Sequence, residues 1–124
     1  MKLSEKEFDR IVKRSIQRIP GEIRRQLDNI LISIQKRPCP EMLEEMGLPA
    51  DEPLLGIYSG VSLMDRSVTD PPLFPDTIFL FQEPLEEMCE TIEELENEIE
   101  ITVVHEIAHA LGMSEERLEE LGYG

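Results

Sequence analysis

The sequence predicts an α+β fold in which a small twisted mixed sheet carries an N-terminal helix and a longer C-terminal helix. Two observations lead to this prediction. Apolar residues recur every three or four positions near both ends of the chain, which is typical of amphipathic helices. Between them, three short runs have the length and composition of strands. A chain of 124 residues supports one modest core, so we expect a single domain, 1–124.

The N-terminal helix has recognisable start and stop signals. Ser4 and Glu7 form a capping box, and Pro20 with Gly21 ends the helical pattern. A short basic helical turn is predicted over 22–27. The apolar face of the first helix consists of Phe8, Ile11, Val12, Ile16 and Ile19.

Three segments are predicted to be strands: 30–35, 54–63 and 77–82. The first alternates apolar and polar residues, as half-buried strands do. The second contains Gly56 and Gly60, which indicate bulges or the close approach of another backbone. A helical turn over 41–46 and a proline-containing loop over 62–76 separate the strands.

The third strand, 77–82, lies directly ahead of the long helix. It is a candidate edge strand, against which an extended peptide can pair through main-chain hydrogen bonds. The alternative is an interior strand that touches no substrate, and the sequence favours neither.

The longest predicted helix covers 91–111. Thr91 and Glu94 form its capping box, and Gly112 can adopt the positive φ that ends a helix. Its second half is apolar nearly all round, so we expect the histidines there to lie in a buried region. The core-facing stripe consists of Ile92, Leu95, Ile99, Val103 and Ile107.

The string His105-Glu106-Ile107-Ala108-His109 contains the only two histidines of the chain. Residues four apart on a helix leave the same face, so both imidazoles can bind one Zn²⁺. Glu106 lies about 100° around the helix from His105, where it can reach a water on the metal as a general base. The pattern predicts a zinc hydrolase, and the alternative is two solvated or core histidines on a glutamate-rich helix.

A hydrolytic zinc site needs a third protein ligand and an open position. Glu115 follows Gly112 by three residues and is the first candidate, with Glu119 and Glu120 as substitutes. Glu115 can also occupy the first turn of a last short helix capped by Ser114. The two roles are compatible.

These motifs resemble those of the small bacterial zincin-like metallopeptidases, also called minimal metalloproteases. The resemblance covers 76–124 and more loosely the whole chain. The family's motif, His-Glu-x-x-His-x-x-Gly-x-x-Asp, corresponds to 105–115 here, and its preceding strand with a Pro-Leu step corresponds to 77–85. The resemblance implies a minimal zincin-like domain in which His105, His109 and Glu115 bind zinc, Glu115 replacing the family's aspartate, and Glu106 is the base.

The net charge of the chain limits the classes of molecule that it can bind. A net charge of −15 repels nucleic-acid backbones and anionic membranes. The N-terminus has no apolar run of the kind found in signal peptides, and no segment has the length and hydropathy of a membrane span. We therefore expect a cytoplasmic protein that acts on a peptide or protein, with no nucleic-acid or membrane partner.

The sequence as a whole predicts a zinc-dependent peptidase. One alternative is a non-catalytic binding module stabilised by zinc, but such a site has no use for a base at Glu106. Another is a metal-dependent RNA-processing hydrolase, which the charge opposes. Candidate donors to the oxyanion of the reaction are Tyr58, Arg117 and Tyr123.

Overall fold

The computed structural model describes residues 2–49, 54–59 and 76–123. These residues form an α+β fold around a three-stranded mixed sheet, as predicted. In chain order the elements are α1 (Glu5–Gln17), α2 (Gly21–Arg24) with a following 3₁₀ helix (Arg25–Asn29), β1 (Leu31–Gln35), α3 (Pro40–Glu45), β2 (Gly56–Ser59), β3 (Thr77–Phe81), α4 (Gln82–Met88), α5 (Ile92–Leu111) and α6 (Glu115–Glu120).

The predicted starts of α1 and α5 and the predicted end of α5 are confirmed, whereas α1 ends at Gln17, before the predicted stop at Pro20. The Ser4 hydroxyl accepts the Glu7 N–H at 3.1 Å, and the Glu7 carboxylate accepts the Ser4 N–H at 3.4 Å. At the start of α5, the Thr91 hydroxyl accepts the Glu94 N–H at 3.1 Å, but the Glu94 carboxylate accepts the N–H of Glu90 at 2.9 Å instead of that of Thr91, so only half of the predicted capping box is present. Gly112 ends α5 with φ of 70°, a conformation that costs a residue with a Cβ more than it costs glycine.

The sheet has the order β1-β3-β2, with β1 parallel and β2 antiparallel to β3. Of the two alternatives for 77–82, the edge position is therefore wrong, because β3 has a strand on either side. Ile78 and Leu80 are both 0 % exposed, and Phe81 is 1 % exposed. A strand that is apolar on both faces buries most surface in the middle of a sheet, which explains its position.

Helix α4 is absent from the sequence-based prediction. It begins at Gln82, immediately after β3, and contains the Pro-Leu step predicted to end the strand. Pro84 is compatible with this position because the first turn of a helix needs no N–H donor from it. Strand and helix thus follow each other without a loop.

The predicted second strand is only partly within the described residues. Within them β2 covers Gly56–Ser59, so the prediction for 54–63 is too long at its start. The end of the predicted strand, 60–63, lies outside the described residues. So does the predicted loop as far as residue 75.

The core lies between α1, α5 and the sheet. Helix α1 packs along α5, and β2 and β3 pack against α5 on another side. Within the described part of the chain, no helix is both long and apolar enough to cross a bilayer. The fully buried large side chains include Phe8, Ile23, Ile78, Leu80, Leu85, Leu95, Ile99, Val103, Ile107 and Leu118.

Candidate active site

Helix α5 carries the three residues of the predicted motif on its last turns. His105 and Glu106 are half-buried, whereas His109 is exposed. The expectation that both histidines are buried is wrong for His109. Both rings lie about 200° around the helix from the buried Ile107, on the side of α5 that faces away from the core. The chain around Tyr123 covers this side at His105 but not at His109.

Glu106 is held by the main chain of β2. Its Oε2 accepts the N–H of Tyr58 at 3.1 Å. Tyr58 is opposite Ile78 in the antiparallel pairing, and this N–H points away from β3 and toward α5. The Tyr58 hydroxyl donates to Asp76 Oδ2 at 2.7 Å. Tyr58 therefore joins β2, the start of β3 and the predicted base.

Gly56 allows β2 to lie this close to α5. A Cβ at this position would lie 2.8 Å from Thr102 Cγ2 and 2.9 Å from the carbonyl oxygen of Phe79, closer than normal packing allows. Any side chain here would push β2 away from α5 or from β3. The predicted close approach at Gly56 is confirmed, and it brings the Tyr58 N–H within reach of Glu106.

The environment of Glu106 disfavours its charged form. Burial raises the pKa of this carboxyl above its ordinary value, while the Tyr58 N–H and the nearby rings of His109 and His105 act in the opposite direction. A general base works best when its pKa lies near the working pH. The direction of the shift suits that role.

His105 contacts the end of the described chain. Its Nε2 lies 2.8 Å from the carbonyl oxygen of Tyr123. No hydrogen bond to the His109 ring occurs among the described residues. The two predicted ligands therefore differ: the His105 ring has a hydrogen-bond partner, and the His109 ring has none in the described part of the chain.

Glu115 lies in the first turn of α6 and is exposed. The Ser114 hydroxyl accepts the Arg117 N–H at 3.1 Å, so the predicted short helix and its cap are present. Across 2–49, 54–59 and 76–123, no three His, Cys, Asp or Glu side chains form a group able to hold a metal ion. Glu115 is thus not drawn together with the two histidines, and its role as a ligand stays a prediction.

The donor types of the pair do fit zinc. Two imidazoles one turn apart on one helix face, with a carboxylate between them, form a nitrogen-rich, partly open set that suits Zn²⁺. The residues that would hold the metal here are His105 and His109, with Glu115 as the predicted third ligand.

The three candidate oxyanion donors already have partners. Tyr58 donates its hydroxyl to Asp76. Arg117 pairs with Glu120 at 3.1 Å and with Glu22 at 2.8 Å. The Tyr123 hydroxyl lies beside Glu100, and burial, with help from that carboxylate, raises its pKa.

Sequence reasoning missed both main-chain groups at the site, the Tyr58 N–H and the Tyr123 carbonyl. Every residue has these groups, so residue type gives no signal for them. The one available signal is Gly56, which indicated that something lies close to β2 but not which helix.

Comparisons with known proteins identify the family of the chain and a protein that shares its fold. The profile of a family described as zincin-like metallopeptidase matches residues 27–124, a range that contains the whole candidate site and leaves out α1. A conserved hypothetical protein from T. thermophilus has a solved structure that superposes with a TM-score of 0.54 and 21% identity, over 88% of this chain and 94% of that chain. At this identity the likeness shows a shared fold. No curated protein matches this chain.

Proposed function

Because the chain belongs to the zincin-like metallopeptidase family, we propose that it is a zinc-dependent peptidase. The observation that carries the proposal is the position of Glu106. This carboxylate is half-buried, lies between two histidines on one helix, and is fixed by a hydrogen bond from β2, an edge strand of the described sheet. A zinc site that only stabilises the fold does not need such a group.

The proposal assigns His105 and His109 as metal ligands and Glu115 as the third. When bound, zinc supplies a Lewis acid that activates water and polarises a carbonyl oxygen. A hydrolytic site also needs an open position, and the exposure of His109 would leave room for one on its side of α5.

Glu106 is assigned the proton transfers. Its carboxylate accepts a proton from the water whose oxygen forms a bond to the peptide carbon. It then returns that proton to the amine nitrogen as the carbon–nitrogen bond breaks. Burial raises the pKa of Glu106, which makes it a better proton acceptor than an exposed carboxylate. The N–H of Tyr58 keeps the carboxylate oriented during both transfers.

The peptide is proposed to bind beside β2. Since β3 is interior, β2 is the edge of the described sheet that lies next to the motif. An extended peptide along this strand would have its main chain close to Glu106. Main-chain pairing tolerates many side chains, so the proposal is a peptidase of broad sequence preference.

The decisive experiment compares Glu106→Gln with wild type in zinc content and in cleavage of an unstructured protein such as casein. The amide can still accept the Tyr58 N–H but cannot take a proton, so we expect unchanged zinc and a loss of activity of about 10²–10⁴-fold. Glu98→Gln, on an earlier turn of the same helix, is the matched control.

The outcomes separate the candidate functions. Full activity in Glu106→Gln contradicts the assigned role. Stoichiometric zinc with no cleavage by any variant would instead support the zinc-stabilised binding module. An absence of zinc in the wild-type protein contradicts both.

A further inference from the structure

An open cavity of about 510 Å³ lies at the end of the sheet away from the candidate active site. Strands β1 and β3 run parallel, and the first residue after each of them, Lys36 and Gln82, lines this cavity. Tyr58, which binds Glu106, is opposite Ile78, and Gln82 lies roughly 13 Å further along the chain direction of β3. In open sheets the crevice beyond the carboxyl ends of parallel strands is a common place for ligands.

Two buried polar side chains of α4 form part of the cavity wall. Gln82 and Glu86 lie one turn apart on the helix, and each is only 6 % exposed. Both bind the main chain of Leu3: Glu86 Oε2 accepts its N–H at 2.8 Å, and Gln82 Nε2 donates to its carbonyl at 3.0 Å. These two bonds fix the orientation of both side chains at the cavity.

Each of these side chains keeps one oxygen that has no hydrogen-bond partner in the part of the chain that the structure describes. These atoms are Gln82 Oε1 and Glu86 Oε1. Nearly all buried polar atoms in proteins have a partner, so such an oxygen marks the place of a bound molecule or water. An amide oxygen and an ionised carboxylate can only accept hydrogen bonds. The group that completes them must therefore be a donor.

The carboxylate of Glu86 favours a donor that is positively charged, because a buried charge is costly unless it is paired. Glu86 has no ion pair within 2–49, 54–59 and 76–123, and Arg37, the residue after Lys36, instead pairs with Glu83 and Glu87. A metal ion does not fit, since no three His, Cys, Asp or Glu side chains in these ranges form a group able to hold one. An ammonium group, with three N–H donors, suits two acceptor oxygens.

We propose that this cavity is a second binding site, which takes the ammonium group of a small amino compound between Gln82 and Glu86. Its volume is in the range of small-molecule pockets. Lys2 and Lys36 also line it and attract a carboxylate carried by the same ligand, so the favoured ligand is an amino acid rather than a simple amine. The proposal depends neither on zinc nor on the proposed peptidase activity.

The first test is an NMR titration of the metal-free wild-type protein with three probes of similar length: 5-aminopentanoate, pentylamine and pentanoate. We expect 5-aminopentanoate to bind most tightly and pentylamine more weakly. Both should shift the side-chain amide signals of Gln82 and the main-chain N–H signal of Leu3, and pentanoate should shift neither.

The outcomes of this titration are distinct. No binding of either amine, equal binding of pentanoate, or shifts confined to His105 and His109 overturns the proposal. Pentylamine binding as tightly as 5-aminopentanoate supports the ammonium site and contradicts the role of the two lysines.

The second test is Glu86→Gln, whose amide oxygen can still accept the Leu3 N–H but which has lost the charge. A hydrogen bond to a charged group corresponds to about 10–100-fold in affinity, and we expect a loss of this size for 5-aminopentanoate. Glu116→Gln, an exposed glutamate on α6, is the matched control and should bind like wild type. Unchanged affinity in Glu86→Gln overturns the proposal. If the melting curve shows that this variant does not fold, the wild-type titration still decides.

Discussion

The two halves of α5, 92–101 and 102–111, are held in different ways. The first half packs on α1, and its glutamates pair with arginines across that interface: Glu96 lies 2.8 Å from Arg14 and 3.3 Å from Arg18. These arginines are well exposed to solvent, and ion pairs of this kind contribute on the order of 0–1 kcal/mol each. The stability of this half comes mainly from its buried apolar stripe.

The second half is buried as well, with Val103 at 0 % and Ile107 at 1 % exposure, and main-chain groups from distant parts of the chain contact its polar side chains. Glu106 accepts from the Tyr58 N–H, 48 positions away, and His105 contacts the Tyr123 carbonyl, 18 positions away. Main-chain groups remain present whatever side chain is substituted there. The comparison indicates that buried apolar residues fix both halves of α5 to the body, whereas the polar groups are paired with exposed arginines in the first half and with main-chain groups in the second.

The largest expected effect is on the first half. Leu95→Ala removes a side chain that is 0 % exposed, and such changes cost about 2–5 kcal/mol of unfolding free energy. Urea denaturation in the presence of a chelator measures it. Leu111→Ala, at the other end of the helix and 41% exposed, is the matched control, and equal losses at the two leucines would contradict the comparison.

Zinc should stabilise the second half by a similar amount. At about a hundred times its dissociation constant, a metal that binds only folded protein adds roughly 2.7 kcal/mol. Imidazoles must lose their protons to bind, so the gain in melting temperature should shrink between about pH 7.5 and about pH 5.

Glu115→Ala should reduce the gain in melting temperature that zinc gives, and Glu119→Ala should not. The reverse result would identify Glu119 as the third ligand. A melting temperature that does not change with chelator would mean that folding does not organise the metal site.

A smaller effect, opposite in sign to the loss at Leu95, is expected from Glu106 in the metal-free protein. Burial raises the pKa of Glu106 in the folded state, so the unfolded state releases this proton at lower pH than the folded state. The free energy of unfolding then falls as the pH rises from the unfolded pKa, about 4.3, through the raised folded value. Glu106→Gln should therefore be more stable than wild type at neutral pH, and this advantage should vanish below about pH 4. A difference between the two proteins that does not change with pH rules out this explanation.

Local features of the chain could be predicted because their causes are local. The capping residues Ser4, Thr91 and Ser114 act on N–H groups three positions away. Gly112 ends α5 because it can take a positive φ. The placement of His105 and His109 on one helix face follows from helix periodicity alone.

Some errors came from signals that local reasoning misjudged. An edge position was considered for strand β3 although its apolar run, Ile78 to Phe81, favours an interior position. Helix α4 was not predicted, although Pro84 is compatible with a helix there because a proline in the first turn is tolerated.

By itself, the sequence determined the α+β class, the starts of α1 and α6, both ends of α5, and the position of His105, Glu106 and His109 on that helix. The tertiary structure decided how that helix is used: β2 rather than β3 lies beside Glu106, and the turn after α6 covers His105 but not His109. The physical reason is that both contacts use main-chain N–H and C=O groups. Such groups are identical at nearly every position, so only the path of the chain through space selects which of them reaches the site.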